Sequence, residues 1–547
     1  MKVAEAVGRI LAELGVRQVF GVTGSGNFHF TNALVNGGAR FTATRHEMGA
    51  ACMADAYSRA TGEVAVVSVH QGCGLTNAMT GIGEAAKSRT PVLVLAGDTP
   101  PTQKTSNFWV DQDAVAESVG AVAERVHSAE TAVADTVRAF RTARDERRTV
   151  LLSIALDVQE QDLEFSVDDI PAIAPTLVPG PSPEAIQQLA ELLAAAERPV
   201  LVAGRGALAA RAEIEALAEQ TGALLTTSAV GRGIFAGNPW YLDVMGGFST
   251  PVTAELIQGA DVVVAFGASL NRWTSRSGSL LAGARVVQVD LSPEAIGFHR
   301  PVEFGVLGDS ALVAQAVTRE LASRGAASAG YRSEEVQEQI KSGSEWVNVA
   351  FEPIDSAETI DPRSLTIALN DMVPMERVVV TDGGNFNGYP AMFFQIPDAR
   401  AYCLPLAFQS IGLALSSAIG AGLANPDRIA IAGVGDGGFM MSLAELDTAV
   451  RLKLPMIVLV YNDNAYGAEV HHFVHETDQL EIVEFPETDI AAIARGFGCT
   501  GVTVRSEDDL AGVQAWLDGD RTTPLVIDAK ISSFASWVLA HTFGDDE

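Results

Sequence analysis

Residues 428–438 read RIAIAGVGDGG, and residues 455–467 read PMIVLVYNDNAYG. In each, a short apolar run ends in residues that suit a ligand-binding turn, the pattern of a buried parallel strand. The first run delivers Asp436 to a strand's carboxyl end and the second delivers Asp463. Between them, Ser442 to Leu452 (SLAELDTAVRL) has helical periodicity. Such a strand-helix-strand unit brings both strand ends to one edge of a parallel sheet, where open α/β sheets bind ligands. Gly437 and Gly438 permit close backbone approach to an anion, and paired oxygen-bearing side chains beside a phosphate suit a divalent cation. The stretch reads as a cradle for a diphosphate and its metal, although Gly-Asp-Gly by itself also occurs in ordinary turns.

The interval from Asp436 to Asn462 and the NDN-x-YG ending at Gly467 make the whole motif resemble that of thiamine diphosphate enzymes. The family is the superfamily of pyruvate decarboxylase, acetolactate synthase and benzoylformate decarboxylase, and the resemblance spans almost the whole chain. It implies magnesium held by Asp436, Asp463 and Ala465, with Gly437, Gly438 and Tyr466 against the cofactor. Thr381-Asp382-Gly383-Gly384-Asn385 follows another apolar strand, and by the same resemblance Gly384 and Asn385 contact the diphosphate. Gln409-Ser410-Ile411-Gly412 resembles the segment that bends the cofactor into its V shape. Ile411 would be the wedge, and the carbonyl of Gln409 would receive the amino group of the aminopyrimidine.

An independent match lies near the other end. Arg45-His46-Glu47 opens a helical run that closes at Gly62, where family members carry their catalytic glutamate. The aminopyrimidine must lose a proton from its exocyclic nitrogen, and a carboxyl group on the ring nitrogen drives that change. Glu47 is the candidate; taken alone, it would read as a helix-start glutamate favoured by the dipole.

The substrate side resembles benzoylformate decarboxylase in two places. Ser25, between Gly24 and Gly26, would bind the substrate carboxylate, and His70, within Val69-His70-Gln71, would relay protons. Without the resemblance they read as a turn serine and a histidine at a strand end. The second histidine expected from the middle domain is missing, because the stretch 267–274 (GASLNRWT) puts Thr274 there. Acetolactate synthase features are also incomplete: Trp109-Val110 stands for the expected Phe-Gln, and Gln71-Gly72-Cys73-Gly74 for Ser-Gly-Pro-Gly. Gln71 can still hydrogen-bond an acceptor carbonyl. Beyond the metal motif, Glu469 or His472 would face the substrate, since neighbouring histidines on a helix cannot both face one small molecule.

The fold class expected is α/β, with three consecutive parallel-sheet domains: aminopyrimidine-binding over 1–165, middle over 182–322, and diphosphate- and magnesium-binding over 355–547. Strands near 16–22, 64–69 and 91–96, and later near 199–203, 262–266 and 285–289, alternate with helical runs. A proline-rich linker (168–183) and a polar one (323–344) divide them. Blocks one and three share a fold if they arose by duplication. Gly204-Arg205-Gly206 follows the first middle-domain strand but lacks full G-x-G-x-x-G spacing, which disfavours FAD there.

A chain of 547 residues with 48% hydrophobic content supports several cores. Its net charge of −31 opposes nucleic acid and anionic membranes. No apolar run reaches about 18 residues, and the four cysteines lack metal or disulfide spacing. The expectation is a soluble, cytoplasmic protein. The resemblance implies decarboxylation of a 2-oxo acid through an enamine, or, as the alternative, transfer of that enamine to a second carbonyl compound. It also implies a homodimer or homotetramer with sites at the subunit interface.

Overall fold

The computed structural model describes residues 1–542, residue 175 excepted. Three six-stranded parallel sheets, each with interleaved helices, follow one another along the chain. The first holds β1 (Gln18–Gly21), β2 (Arg40–Ala43), β3 (Ala65–Val69), β4 (Val92–Asp98), β5 (Val122–Val126) and β6 (Val150–Ala155) in the order β2-β1-β3-β4-β6-β5. The second holds β7 (Pro199–Ala203), β8 (Leu224–Thr227), β9 (Tyr241–Val244), β10 (Val262–Phe266), β11 (Arg285–Asp290) and β12 (Phe304–Leu307), ordered β12-β11-β10-β7-β8-β9. The third holds β13 (Arg377–Thr381), β14 (Tyr402–Cys403), β15 (Ile429–Gly435), β16 (Met456–Asn462), β17 (Thr500–Val504) and β18 (Leu525–Lys530), ordered β14-β13-β15-β16-β18-β17. The outer two sheets have the same strand succession. The middle one has the doubly wound nucleotide-binding order, whose crevice opens between β7 and β10.

In that crevice the glycine turns pack on one another. The amide of Gly206 donates to Gly267 O at 3.1 Å, and a side chain at Gly204 would collide with the same carbonyl. An amide already bonded to a carbonyl is not free to cradle a phosphate.

Three features differ most from the sequence expectation. The polar stretch 323–344, expected to be a linker, carries the helix Glu334–Gly343, and its Ile340 is buried in the core of the middle domain. The first strand begins at Gln18 rather than Val16, because Gly15 turns at φ 101° and the Val16 amide closes that turn on Leu11 O at 3.1 Å. The helix expected over 442–452 is two helices, Asp436–Ser442 and Leu446–Leu452, joined by a 3-10 turn at Leu443–Glu445. The tighter turn rotates Glu445 inward.

The outer domains dock through the helices Glu47–Thr61 and Ala414–Ala424. Ala50, Met53 and Ala54 share one apolar core with Leu415, Ala418 and Ile419. Gly420 lies against the Met53 backbone with no room for a Cβ, so the helices approach closely. Full burial of Met53, Leu415 and Ile419 contributes roughly 1.5–3 kcal/mol each. His46 Nδ1 accepts from the Met48 amide at 3.1 Å at the start of the first helix, and Gly62 ends it at φ 76°. Among the described residues no helix is long and apolar enough to cross a membrane.

Candidate active site

β13, β15 and β16 are adjacent and parallel, with Thr381 opposite Gly433 and Gly435 opposite Tyr461, so their carboxyl ends share one edge. From that edge Asp436 and Asp463 converge. Asp436 is 8% exposed, and its Oδ1 is buried without a hydrogen-bond partner. Burial and the neighbouring Asp463 charge push its carboxyl up to about 7, and burial raises Asp463 to about 6. Two desolvated carboxylates side by side are unfavourable unless a cation joins them. Among the described residues no three His, Cys, Asp or Glu side chains gather as a metal site. A cation here therefore takes two carboxylates and completes its shell from carbonyl, water or phosphate oxygens, the preference of magnesium. Ala465 has only main-chain oxygen to offer.

The surrounding glycines are fixed by space. A Cβ at Gly437 would stand 2.5 Å from the Tyr466 ring, and one at Gly438 would stand 3.0 Å from Asp382 Oδ2 and 3.2 Å from the Gly412 amide. A side chain at Gly467 would meet the Asp463 carboxylate, and Gly384 holds φ 119°. Asp382 Oδ2 accepts from Gly412 N at 2.8 Å and Ala414 N at 3.4 Å, while its Oδ1 accepts from Gly383 N at 2.9 Å. It thus ties the Gly383–Asn385 turn to the segment 409–412. There Gln409 is exposed with φ 58°, and Ile411 reaches within 3.2 Å of a Cβ built on Gly383. The side chain of Asn385 binds Phe534 O and the Ser536 amide, each at 2.8 Å. Asn462 likewise donates to Asp528 Oδ1 at 2.8 Å. The side chains of both asparagines therefore brace the site. A buried oxygen without a partner, facing carboxylates and glycines that exclude side chains suit a diphosphate carried by a divalent cation.

A second constellation lies on the first sheet. Ser25 Oγ is 3.4 Å from His70 Nε2, and His70 Nδ1 is 3.1 Å from Gln71 O. A carbonyl only accepts, so Nδ1 carries the proton and Nε2 is left to accept from the Ser25 hydroxyl. The Phe108 ring packs on His70 at 5.0 Å. A Cβ at Gly74 would lie 3.1 Å from His70 Cβ and 3.5 Å from Glu47 Oε1. Glu47 and His70 thus flank one glycine, and Glu47 Oε2 accepts from Asn77 Nδ2 at 3.1 Å. Ser25 is exposed and Glu47 half-buried. Gln71 is buried, with its Oε1 wedged beside Gly26 and Gly97 and left without a partner.

Sequence reasoning missed Glu445. Buried at the end of the 3-10 turn, it accepts from the Arg45 amide at 3.0 Å, the His46 amide at 2.9 Å and Thr448 Oγ1 at 2.6 Å. A Cβ at Gly49 would stand 2.5 Å from it. No local signal marked it, since the two amides it accepts from lie about 400 positions away in the chain. Beside it, Arg45 pairs with Asp447 at 2.6 Å.

On the helix Gly467–Phe473 that leaves the metal turn, Glu469 and His472 are exposed, while His471 Nε2 lies 3.3 Å from Ser533 Oγ. Thr274 sits buried in the short helix Arg272–Ser275, its amide donating to Asn271 Oδ1 at 2.9 Å. Among the described residues, no hydrogen bond, ion pair or ring contact joins Glu47, Ser25 or His70 to Asp436, Asp463 or the segment 409–412.

Comparison with known proteins bears on both constellations. Family models described as the N-terminal TPP binding domain, central domain and C-terminal TPP binding domain of thiamine pyrophosphate enzymes match residues 1–118, 186–317 and 382–529. The chain is 31% identical to a probable 2-ketoarginine decarboxylase of Pseudomonas aeruginosa, over 92% of this chain and 89% of that protein. It is 27% identical to a sulfoacetaldehyde acetyltransferase of Castellaniella defragrans, over 96% and 93%. With a probable acetolactate synthase large subunit of Methanococcus aeolicus it shares 26% identity, over 85% and 81%.

Proposed function

The chain belongs to the thiamine pyrophosphate enzyme family, and from that premise we propose that it decarboxylates a 2-oxo acid, in the manner of benzoylformate decarboxylase, with thiamine diphosphate and magnesium. The observation that carries this reading is the Ser25–His70 pair, 3.4 Å apart, set beside Glu47 across Gly74. It combines a hydroxyl for a substrate carboxylate, an imidazole for a proton and a carboxyl for the cofactor in one corner.

When bound, thiamine diphosphate supplies a carbon nucleophile and an electron sink for loss of carbon dioxide. Asp436, Asp463 and the Ala465 carbonyl hold the magnesium, and Gly384, Asn385, Gly437 and Gly438 receive the diphosphate. The Gln409 carbonyl, Ile411 and Tyr466 orient the rings. Glu47 exchanges a proton with the aminopyrimidine nitrogen. Ser25 Oγ orients the substrate carboxylate, and His70 Nε2, having accepted a proton, returns it to the product carbon. Glu469 or His472 supplies a polar wall for the substrate's far end.

Because, among the described residues, no hydrogen bond, ion pair or ring contact joins Glu47 to Asp436 or Asp463, we assign the complete site to two copies, in a homodimer or homotetramer. Exposed Phe408, Met440 and Met441 near the cofactor turns, and Phe108 and Trp109 beside His70, are apolar surface of the kind such an interface covers. The second reading, transfer to an acceptor carbonyl, is favoured by Thr274 in place of a second histidine and by the acetyltransferase and acetolactate synthase relatives. Carbon dioxide release from 2-oxo acids, measured with each cofactor omitted in turn, tests the proposal. Turnover without added thiamine diphosphate in fully stripped protein would refute it.

A further inference from the structure

The stretch 404–413, which carries Gln409 and Ile411, has neither helix nor strand along it. Asp382 fixes its far end through the Gly412 amide at 2.8 Å. Its near end is held from the first domain, by Glu84 on the helix Cys73–Lys87 and by Arg59 on the helix Glu47–Thr61. Glu84 Oε1 accepts from the Ala407 amide at 3.1 Å, and its Oε2 accepts from the Phe408 amide at 2.7 Å. Arg59 Nη1 donates to Leu404 O at 3.0 Å and its Nη2 donates to Glu84 Oε1 at 2.6 Å. Asp55, one turn back on the same helix, pairs with Arg59 at 2.7 Å. The Phe408 ring rests on the helix that bears Glu84: a Cβ at Gly83 would stand 2.9 Å from it, and Lys87 Nζ lies 5.2 Å from its centroid. Glu84 is fully buried, and the chemistry proposed above makes no use of it.

A carboxylate taken out of water is costly, and for docking two domains an apolar side chain of similar volume serves as well. What a carboxylate adds is a pair of accepting oxygens, which here meet two consecutive amides and fix the two peptide planes ahead of Gln409. Gln409 itself stands at φ 58°, a left-handed conformation that a residue other than glycine keeps where its surroundings enforce it. We infer that Glu84, aligned by Arg59, is a positioning residue that sets the Gln409 carbonyl and the Ile411 side chain for the cofactor. The inference rests on the roles proposed above for those two residues, and Glu84 acts on them through the backbone between. The stretch is thus fastened at both ends, by Asp382 of its own domain and by Glu84 of the first, with the two cofactor-facing residues between the fastenings.

The test compares the full-length wild type with Glu84→Ala and Glu84→Gln, and with Leu321→Ala, a core variant of the middle domain, as a destabilised control. Three readouts are taken: amide hydrogen exchange of the stretch 404–413 in protein without cofactor, calorimetric binding of thiamine diphosphate with magnesium, and kinetics at saturating cofactor. Glu84→Ala should speed exchange in the stretch about tenfold or more, weaken cofactor binding about tenfold, and lower kcat about tenfold with KM little changed. Glu84→Gln has one accepting oxygen and can serve only one of the two amides, so it should fall between alanine and wild type in all three. If Glu84→Ala fails to fold, that intermediate effect carries the test. Leu321→Ala should lower the melting temperature and leave exchange in the stretch and cofactor affinity as in the wild type. Unchanged exchange in folded Glu84 variants, or faster exchange with wild-type cofactor affinity and kcat, would make Glu84 a docking contact only and overturn the proposal. Wild-type protein that binds no thiamine diphosphate would instead overturn the cofactor reading, and this proposal with it, whatever the variants do.

Discussion

Glu445 Oε1 lies 2.9 Å from the amide of His46, and that bond joins the 3-10 turn Leu443–Glu445 to the start of the helix Glu47–Thr61. The same oxygen accepts from the Arg45 amide at 3.0 Å, so a carboxylate of the third domain caps the first-domain helix that begins at Glu47. The helix that opens at Asp436 runs into the Glu445 turn within ten residues.

Glu445→Ala should leave two part-buried amides without their protein partner and cost about 1–2 kcal/mol in a denaturant titration. Glu445→Gln keeps an accepting oxygen and should recover most of that stability. If Glu445 also positions Glu47, the alanine variant should lose turnover at least about tenfold with thiamine diphosphate affinity retained. Equal stability of wild type and Glu445→Ala would remove the capping role.

Asp436→Ala removes one of two carboxylates facing the cation and should weaken magnesium-dependent cofactor binding by about 100-fold in calorimetry. Gly437→Ala should do the same without touching a ligand, because its Cβ would stand 2.5 Å from the Tyr466 ring. Chelation of magnesium should lower the melting temperature of the wild type and leave Asp436→Ala unmoved.

Glu47→Gln should keep the fold and cofactor affinity while cutting turnover about 10²- to 10⁴-fold. If each site uses Glu47 from one copy and Asp436 from another, mixing and reassembling Glu47→Gln with Asp436→Ala should restore activity. Random pairing predicts about a quarter of wild-type sites. No recovery in reassembled dimers would place both residues in the same chain's site.

Ser25→Ala should raise KM about tenfold with a smaller change in kcat, as loss of a substrate hydrogen bond does. His70→Ala should lower kcat about 100-fold or more, with KM little changed. Wild-type kinetics in His70→Ala would show the Ser25–His70 contact to be structural.

The three-sheet architecture was legible because buried parallel strands are short apolar runs ending in glycine or acidic turns, as at Val434–Asp436 and Tyr461–Asp463. Such signals are local. Strand order is not, since a crossover can return to either side of the first strand, so the nucleotide-binding order of the middle sheet came only from pairing. Glu445 escaped notice for the same reason: within SLAELDTAVRL it looks like any helix residue, and its amide partners lie 399 and 400 positions away. Gln71 shows the opposite difficulty. Its place beside His70 suggested a substrate contact, but the turn into the next helix carries its side chain beneath Gly26 and Gly97.

The central claim is decarboxylation of a 2-oxo acid, and product analysis by mass spectrometry addresses it most directly. Purified protein with thiamine diphosphate and magnesium is given 2-oxo acids bearing aliphatic, aromatic or guanidino side chains, each with and without an aldehyde acceptor. The account predicts carbon dioxide and the free aldehyde, one carbon shorter, in acceptor-free reactions. Product appearing only when the acceptor is present, as a hydroxyketone, would contradict it and make the enzyme a carboligase.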